Sequence, residues 1–266
     1  MTRLSHVDYL AHLRRDSARF REVLATCDPE ARVPACPDWS AADLLWHLGE
    51  VQWFWSQVIS HRPAGPPEDD AHPERPGDHG GLLAFFDRSS ADLTAALAAA
   101  DPAEPAWSWA DDQQTVGFTF RRQAHEALIH RLDAEQAAGV VTPLDPTLAA
   151  DGVAELVEVM YGGEPPAWGR FEPGEGQVAI ELTDVGTTIR VSPGMFFGTD
   201  PDSGRSYDGP HLLVVPAEGE PTATVRGTAS AVDTWIWKRN GDAEITWTGD
   251  AGPRERFLAA IGSALN

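Results

Sequence analysis

The residues best suited to chemistry in this chain are Glu126 and His130, which stand four positions apart. On an α-helix, residues at this spacing lie on one face a turn apart, so both side chains can reach a single ion. A third ligand must come from elsewhere. His47 is the best candidate, because it lies in an apolar, helix-like stretch at residues 44–54. The spacing therefore indicates a three-residue metal site.

A superficially similar pattern, the zinc-protease helix, does not fit this segment. That motif needs histidines at i and i+4 with a free glutamate between them. Here His125 and His130 are five positions apart, about 140° around a helix, so they do not share a face. We therefore expect His125 to point toward a neighbouring helix or solvent, while Glu126 and His130 face the ion.

Simpler interpretations exist for each of these residues. Glu126 has Arg122 at i−4 and His130 at i+4. It could therefore be the centre of a solvated charge ladder worth about 0.2–0.5 kcal/mol per pair. His47 could be a hydrogen-bonded core histidine on an apolar helix face. The residues alone leave these interpretations open beside metal binding.

One segment resembles a known family. Residues 33–48 read Val-Pro-Ala-Cys-Pro-Asp-Trp-Ser-Ala-Ala-Asp-Leu-Leu-Trp-His-Leu, which is similar to the signature of the mycothiol-dependent maleylpyruvate isomerase family. Members of that family are DinB-like metal-binding helical bundles. The resemblance extends to the helix that carries Glu126 and His130 and, more loosely, to residues 225–239.

The resemblance implies a site and its cofactors. It implies a divalent metal, usually zinc, held by His47, Glu126 and His130, with mycothiol as the low-molecular-weight thiol. It also implies a catalytic role for Arg239, which would help to hold the anionic substrate or the thiol.

The chemistry of such a site depends on the coordination position that the metal ion has free. Three protein ligands leave one position of a tetrahedral ion free, as in catalytic zinc sites. The resemblance implies that the mycothiol sulfur takes this position as a thiolate and attacks a small electrophilic substrate. The outcome would be maleylpyruvate-type cis–trans isomerisation or thiol S-transfer.

Two function classes remain as alternatives. The first is a metal-dependent hydrolase in which bound water is the nucleophile, with Glu50 or Asp43 as the general base. The second is a non-catalytic protein whose C-terminal domain binds a small apolar ligand.

Composition excludes some partners and locations. The 266 residues contain 41 acidic and 20 basic residues, a formal net charge of −21. Nucleic acids and anionic membranes both require a cationic surface, so neither is an expected partner. No apolar stretch approaches eighteen residues, so we expect a cytoplasmic protein, either a monomer or a weak homodimer. In a reducing cytosol, Cys27 and Cys36 are expected to be free thiols.

The basic residues also hint at the source. Lys238 is the only lysine and alanine is abundant, which suggests a GC-rich genome. Such genomes suit the actinobacteria, in which mycothiol is the characteristic thiol.

Periodicity predicts an α+β protein in two domains. Residues 1–162 are expected to form an antiparallel four-helix bundle, and the family resemblance implies that this bundle is DinB-like. Residues 163–266 are expected to form a small α+β domain that resembles a sterol-carrier domain. The predicted helices are 5–26, 40–60, 82–100, a fourth starting near 119, 147–161, 229–237 and 253–265. The predicted strands are 177–182, 187–191, 221–226 and 243–248.

Three tryptophans crowd the predicted helix that carries His47. Trp46, Trp53 and Trp55 could form an aromatic ligand cage, but aromatic residues at such spacings more often pack in the core. We interpret them, together with Cys36, as structural residues.

Overall fold

Four long helices carry most of the first half of the chain in the computed structural model, which describes residues 3–68, 71–262 and 265. The elements of this half are α1 (His6–Leu24), β1 (Arg32–Val33), β2 (Cys36–Ser40), α2 (Ala41–His61), α3 (His79–Ala99) and α4 (Val116–Ala137). Helix α2 packs along α3, and α1 packs along α4. Residues 4–143 form one of two units in the chain, and the four helices predicted there are confirmed.

Helix α2 begins where the sequence predicts it, because Ser40 and Asp43 cap its first turn. The Asp43 backbone N–H donates to Ser40 Oγ over 3.2 Å, and the Ser40 backbone N–H donates to Asp43 Oδ2 over 2.9 Å. Arg75 adds an ion pair to Asp43 at 2.6 Å. Such a reciprocal cap satisfies two otherwise unpaired N–H groups. It fixes the start of the helix, so that His47 falls in the second turn.

Helices α2 and α3 approach closely because a glycine stands at their contact. A β-carbon at Gly49 would lie only 3.0 Å from the Phe85 ring, and Trp46 stacks on the same ring with centroids 5.0 Å apart. Burying large apolar side chains contributes about 1.5–3 kcal/mol each. The apolar cluster around α2 includes Phe20, Leu24, Leu44, Leu45, Leu48, Leu82 and Phe86. This packing holds the helix that carries His47.

Helix α4 is buried on nearly every side although much of it is polar. From Phe118 to Glu135, only Glu126 is partly exposed. Buried polar and charged groups destabilise a protein unless they are paired. Four of the charged residues of α4 accordingly form two ion pairs, Arg122 with Glu126 and Arg131 with Glu135.

The second unit, residue 3 with residues 144–266, combines a mixed sheet with three helices. Its elements are α5 (Pro146–Glu155), a π-helical turn (Leu156–Met160), β3 (Gly169–Pro173), β4 (Val178–Leu182), β5 (Thr187–Thr199), β6 (Ser206–Val214), β7 (Ala223–Gly227), α6 (Ala229–Ile236), β8 (Thr246–Gly249) and α7 (Ala251–Ala260). The strand order is β3-β5-β4-β7-β8, with β6 paired to β5. Strands β4 and β7 are parallel, and the other named pairs are antiparallel. The predicted α+β class is confirmed.

The division between the units differs from the predicted boundary at 162/163. The structure divides the chain at 143/144, so α5 and the π-helical turn group with the sheet. Helix α5 packs on α6, where Gly152 allows Asp233 to approach: a β-carbon at Gly152 would lie 2.8 Å from Asp233 Oδ1. A helix predicted as a fifth member of the first domain thus belongs to the second unit.

Several elements of the second unit differ from their predicted extents. Strand β5 continues eight residues beyond the predicted end at 191, and neither β3 nor β6 was predicted. The predicted closing helix begins near the start of α7 but ends at Ala260, and its residues 263 and 264 lie outside the described residues. Among the residues that are described, no helix is both long enough and apolar enough to cross a membrane.

Candidate metal centre

Helices α2 and α4 bring His47, Glu126 and His130 together as the spacing predicts. One ligand atom from each residue lies within 4.8 Å of the other two. Glu126 Oε1 is 3.2 Å from His130 Nε2 and 3.7 Å from His47 Nε2. The side chain of His130 is 1% exposed, whereas Glu126 and His47 are 13% and 23% exposed. The cluster is therefore open to solvent on the side of His47.

The ring nitrogen of His47 that faces the cluster lacks a hydrogen bond. His47 Nε2 is buried and has no hydrogen-bond partner in the described part of the chain. Its separation of 3.7 Å from Glu126 Oε1 exceeds normal hydrogen-bond length. Buried polar atoms are nearly always paired, so this nitrogen is well placed to bind an added ligand such as a metal ion.

The charge on Glu126 is fixed by its neighbours on α4. Burial alone would raise the pKa of Glu126, but Arg122 and a hydrogen bond from His130 outweigh burial and hold the pKa well below its usual range. Arg122 Nη2 donates to Glu126 Oε2 over 3.0 Å, and the Arg122 side chain is itself almost fully buried. Glu126 is therefore an ionised carboxylate with Oε1 turned toward the histidines. The predicted ladder of Arg122, Glu126 and His130 exists, but it is buried rather than solvated.

His130 is oriented by a carboxylate that the sequence analysis did not single out. His130 Nδ1 donates to Asp133 Oδ2 over 2.9 Å, and Asp133 is fully buried. Burial lowers the pKa of His130, but the hydrogen bonds to Asp133 and Glu126 outweigh it and raise the pKa. Metal-binding histidines usually donate their second ring N–H to a carboxylate or carbonyl in this way. The i+3 spacing from His130 was the available signal.

Trp39 covers one side of the cluster. Its ring lies 4.7 Å from the His47 ring and 6.4 Å from the His130 ring, measured between centroids. The two histidine rings are 4.9 Å apart and nearly perpendicular. Trp39 lies in β2, directly before the cap of α2, so the strand places an aromatic wall beside the ligands.

The three donors fit a small divalent cation. In a tetrahedral zinc site with bonds of roughly 2.0–2.1 Å, the ligand atoms stand about 3.3 Å apart. The two separations from Glu126 Oε1, 3.2 and 3.7 Å, are close to this value, and all three donors lie within 4.8 Å of one another. Two imidazole nitrogens and one carboxylate oxygen also suit zinc better than calcium or magnesium, which prefer oxygen ligands.

His125 faces away from the cluster, as its helical angle predicts. Its ring lies 6.3 Å from the ring of Tyr9 in α1, in an edge-to-face arrangement. Tyr9 and His125 are both buried. His125 therefore belongs to the α1–α4 contact rather than to the ligand set.

Arg239 lies in the second unit, where its guanidinium is held by backbone groups. Its Nη1 donates to the Trp237 carbonyl over 2.8 Å and to the Leu265 carbonyl over 2.7 Å. The guanidinium also lies 5.4 Å from the centre of the Trp237 ring, and Arg239 is buried. The predicted catalytic residue is thus engaged within its own unit.

The two general-base candidates of the hydrolase alternative have other contacts. Asp43 is part of the α2 cap, and hydrogen bonds from Ser40 with the ion pair to Arg75 lower its pKa. Glu50 lies 3.5 Å from His72. Neither carboxylate belongs to the His47–Glu126–His130 cluster.

Trp46 and Trp55 pack against other aromatic rings, in agreement with the interpretation of these residues from sequence. Trp55 is buried against an aromatic group that includes Trp107, Trp109 and Phe118. Cys27 and Cys36 are free thiols, and burial raises the pKa of Cys27, with Asp28 adding to the shift.

Fold and cluster together define a class: an α+β protein whose helical unit presents a histidine–glutamate–histidine set from two helices. Residues 10–135 match the family model described as Mycothiol maleylpyruvate isomerase N-terminal domain. The predicted resemblance to this family is confirmed.

Solved structures resemble nearly the whole chain. One is the crystal structure of the mycothiol-dependent maleylpyruvate isomerase, with a TM-score of 0.63, and another is a histidine-to-alanine mutant of that enzyme, with a TM-score of 0.62. Each is 14% identical, and each alignment covers 95% of this chain and 98% of the other. At this identity the likeness concerns the fold. No protein of curated function matches the sequence significantly.

Proposed function

We propose that this protein is a divalent-metal-dependent enzyme that uses mycothiol and acts on a small electrophilic substrate. The reaction would be maleylpyruvate-type cis–trans isomerisation or thiol S-transfer. The observation that carries the proposal is the convergence of His47, Glu126 and His130, in which a buried nitrogen of His47 has no hydrogen-bond partner among the described residues. The match of residues 10–135 to the family model supports the choice of thiol.

The residues around the cluster have distinct tasks in this proposal. His47, Glu126 and His130 would hold the cation, most simply zinc. When bound, the cation would favour the thiolate form of a thiol at neutral pH. Arg122 keeps Glu126 ionised, and Asp133 holds His130 with Nε2 turned toward the cluster.

Access and shielding also suit a reaction with an added thiol. Trp39 covers one side of the histidine rings, which limits the approach of water there. The partial exposure of His47 and Glu126 leaves another side open to an incoming molecule. A purely structural zinc site would instead be closed by four protein ligands.

The hydrolase alternative has less support from the contacts. A bound water would need a separate base near the cluster, and both candidates named from the sequence, Asp43 and Glu50, are paired elsewhere. The thiol mechanism depends less on such a base, because a free thiol is far more acidic than free water.

Finer assignments belong to the same proposal. We propose that Arg239 helps to hold the anionic substrate or thiol. We further propose that the two parts of the chain are a DinB-like antiparallel four-helix bundle and a sterol-carrier-like domain. We also propose that the protein is cytoplasmic, that it is a monomer or a weak homodimer, and that it comes from an actinobacterium. The proposal includes no nucleic-acid or membrane partner.

The first test is the metal content of the purified protein by elemental analysis. Wild type is expected to contain one equivalent of zinc, and His47→Ala and Glu126→Gln are expected to lose it. His61→Ala is the matched control, because His61 ends the same helix, is exposed, and lies outside the cluster. Full metal content in His47→Ala would refute the ligand assignment.

The second test measures mycothiol binding by calorimetry on metal-loaded and metal-stripped protein. Binding only to the loaded form is expected, and equal binding to both forms would refute the thiolate proposal. Product analysis with maleylpyruvate then separates the two reactions. A trans isomer with free thiol indicates isomerisation, and a stable thioether indicates S-transfer.

A further inference from the structure

The hairpin β5–β6 and strand β3 present one face on which aromatic residues stand opposite glycines. Phe196 pairs with Gly209 on β6 and with Phe171 on β3, while Tyr207 pairs with Gly198. His211 pairs with Gly194. Directly paired residues point to the same side of a sheet, and residues two apart share that side. Phe171, Phe196, Tyr207 and His211 therefore share one face, which we call the aromatic face.

Most glycines on this face make room for a ring. A β-carbon at Gly169 would lie 2.3 Å from the Phe196 ring, and one at Gly198 would lie 2.8 Å from the Trp168 ring. These rings therefore lie close against the backbone of the sheet. Gly209 differs, because a β-carbon there would meet no atom within 4 Å. The aromatic face thus has an open floor at Gly209.

A cavity of about 550 Å³ lies over this floor. Its lining includes Phe196, Tyr207, Gly209, His211 and Arg205. The Phe196 and His211 rings stand 5.7 Å apart. Sites for small molecules commonly have volumes of about 300–1,000 Å³, aromatic walls and a few polar groups. The cavity has this size, is open on one side, and has a lining in which aromatic rings and polar groups are mixed.

The charge at the rim is cationic. The Arg205 guanidinium lies 5.0 Å from the centre of the Tyr207 ring, and no carboxylate within the described ranges forms an ion pair with it. This is notable in a chain with 41 acidic and 20 basic residues. Asp208 also lines the cavity, but alternation along β6 directs its side chain to the opposite side of the sheet from Tyr207.

We propose that this cavity is a second binding site, distinct from the His47–Glu126–His130 cluster, for a flat and largely apolar molecule that carries one anionic group. Its rings pack on Phe196 and Tyr207 over the floor at Gly209, and its anion faces Arg205. Aromatic packing of this kind favours offset or edge-on contacts. All of the lining residues belong to the second unit, so the site does not depend on a metal.

The probe for this site is anilinonaphthalene sulfonate, whose fluorescence rises in apolar surroundings. Titration should show one saturable site per chain. Gly209→Leu should raise Kd at least tenfold, because the added side chain points into open space and fills the cavity without disturbing its neighbours. Tyr207→Ala should raise Kd about tenfold through loss of a ring contact.

A matched control lies on the opposite face of the same hairpin. Met195 and Tyr207 are both 37% exposed, and the register of β5 with β6 puts Met195 on the other side of the sheet. Met195→Ala should leave Kd within twofold of wild type. Equal weakening by Met195→Ala and Tyr207→Ala, or a Gly209→Leu variant that binds as wild type does, would overturn the proposal.

The anionic requirement and the independence from the metal have their own tests. Arg205→Gln should weaken binding of the sulfonate several-fold while leaving binding of a neutral anilinonaphthalene unchanged. Metal-stripped wild type and His47→Ala should bind the probe as loaded wild type does. Loss of probe binding in both of these samples would place the probe at the metal cluster and refute a second site.

Discussion

Helix α4 contains two arginine–glutamate pairs with the same spacing and the same separation. Arg122 and Glu126 are 3.0 Å apart, and so are Arg131 and Glu135, each pair at i and i+4. All four side chains are buried or nearly so. Geometry within the helix therefore does not distinguish the two pairs.

Their surroundings do distinguish them. Around Glu135, Arg19 donates over 2.8 Å, and Thr142 donates through its backbone N–H over 2.9 Å and through its hydroxyl over 2.8 Å. Arg131 in turn donates to the Thr142 carbonyl and contacts Asp16. Both carboxylate oxygens are satisfied by protein groups.

Around Glu126, Oε1 faces the imidazole rings of His47 and His130. Of the two ring nitrogens that face it, His47 Nε2 has no hydrogen-bond partner among the described residues. The comparison teaches that buried charge alone does not mark a functional site. What marks it is the convergence of three ligand atoms within 4.8 Å of one another, one of which, His47 Nε2, has no hydrogen-bond partner among the described residues.

The largest effects are expected when Glu126 and Glu135 are neutralised separately. Glu135→Gln should lower the free energy of unfolding by about 3–5 kcal/mol, because it leaves Arg131 and Arg19 without a full partner. It should keep its metal, whereas Glu126→Gln should lose it. Denaturant unfolding and elemental analysis measure the two effects. A folded Glu135→Gln variant without metal would remove the distinction.

The contribution of Glu135 should also depend on pH. Burial raises its pKa, but hydrogen bonds from Arg19, Thr142 and Arg131 outweigh burial and lower it below the ordinary value of 4.5. A carboxylate with a lowered pKa stabilises the fold above its unfolded pKa and loses that contribution as the pH falls through the folded pKa. The stability difference between wild type and Glu135→Gln should therefore shrink below about pH 4.5. A difference that stays constant down to pH 3 would contradict this assignment.

The next test concerns Asp133, which orients His130 in the candidate metal cluster. Asp133→Asn weakens the acceptor that orients His130, so metal affinity should fall by about 10–100-fold. Competition with a chelator measures this change. Asp87→Asn, which alters a surface pair with Arg21, is the control and should leave the affinity unchanged. An unchanged affinity in Asp133→Asn would assign Asp133 to packing alone.

The smallest expected effect concerns Trp39. Its ring packs on His47 but supplies no ligand, so Trp39→Leu should lower metal affinity by less than tenfold. Trp46→Leu should have no effect on metal affinity, because its ring stacks on Phe85 instead. The same chelator competition serves both variants, and a larger loss in Trp46→Leu would reverse their roles.

The sequence predicted the ligand cluster because helical periodicity carries the necessary information. The i+4 spacing of Glu126 and His130 and the cap at Ser40 place three donors on inner faces of two helices. Asp133 and Trp39 were not predicted as neighbours of the cluster. Their roles depend on side-chain direction and on the approach of β2 to α4, which spacing does not determine. The Glu135 network was missed because Thr142 lies in a loop.

The sheet was harder to predict because glycine and proline interrupt its strands. The continuation of β5 contains Pro193, Gly194 and Gly198, and β6 contains Gly209 and Pro210. These residues ordinarily indicate turns or strand edges. Tertiary pairing overrides that preference here, since the glycines leave room for rings and Pro210 lies in β6, which pairs with β5. Strand β4, with its regular apolar pattern, was predicted correctly.

The positions of His47 and Glu126 along the chain have a consequence for folding. The two residues are 79 positions apart (126 − 47), on helices separated by α3. An ion held by both would act as a reversible cross-link that closes a long loop in the unfolded chain. A permanent cross-link over such a loop is worth about 4.5 kcal/mol of chain entropy. Metal binding would thus stabilise the fold of the first half of the chain as well as prepare the site for chemistry.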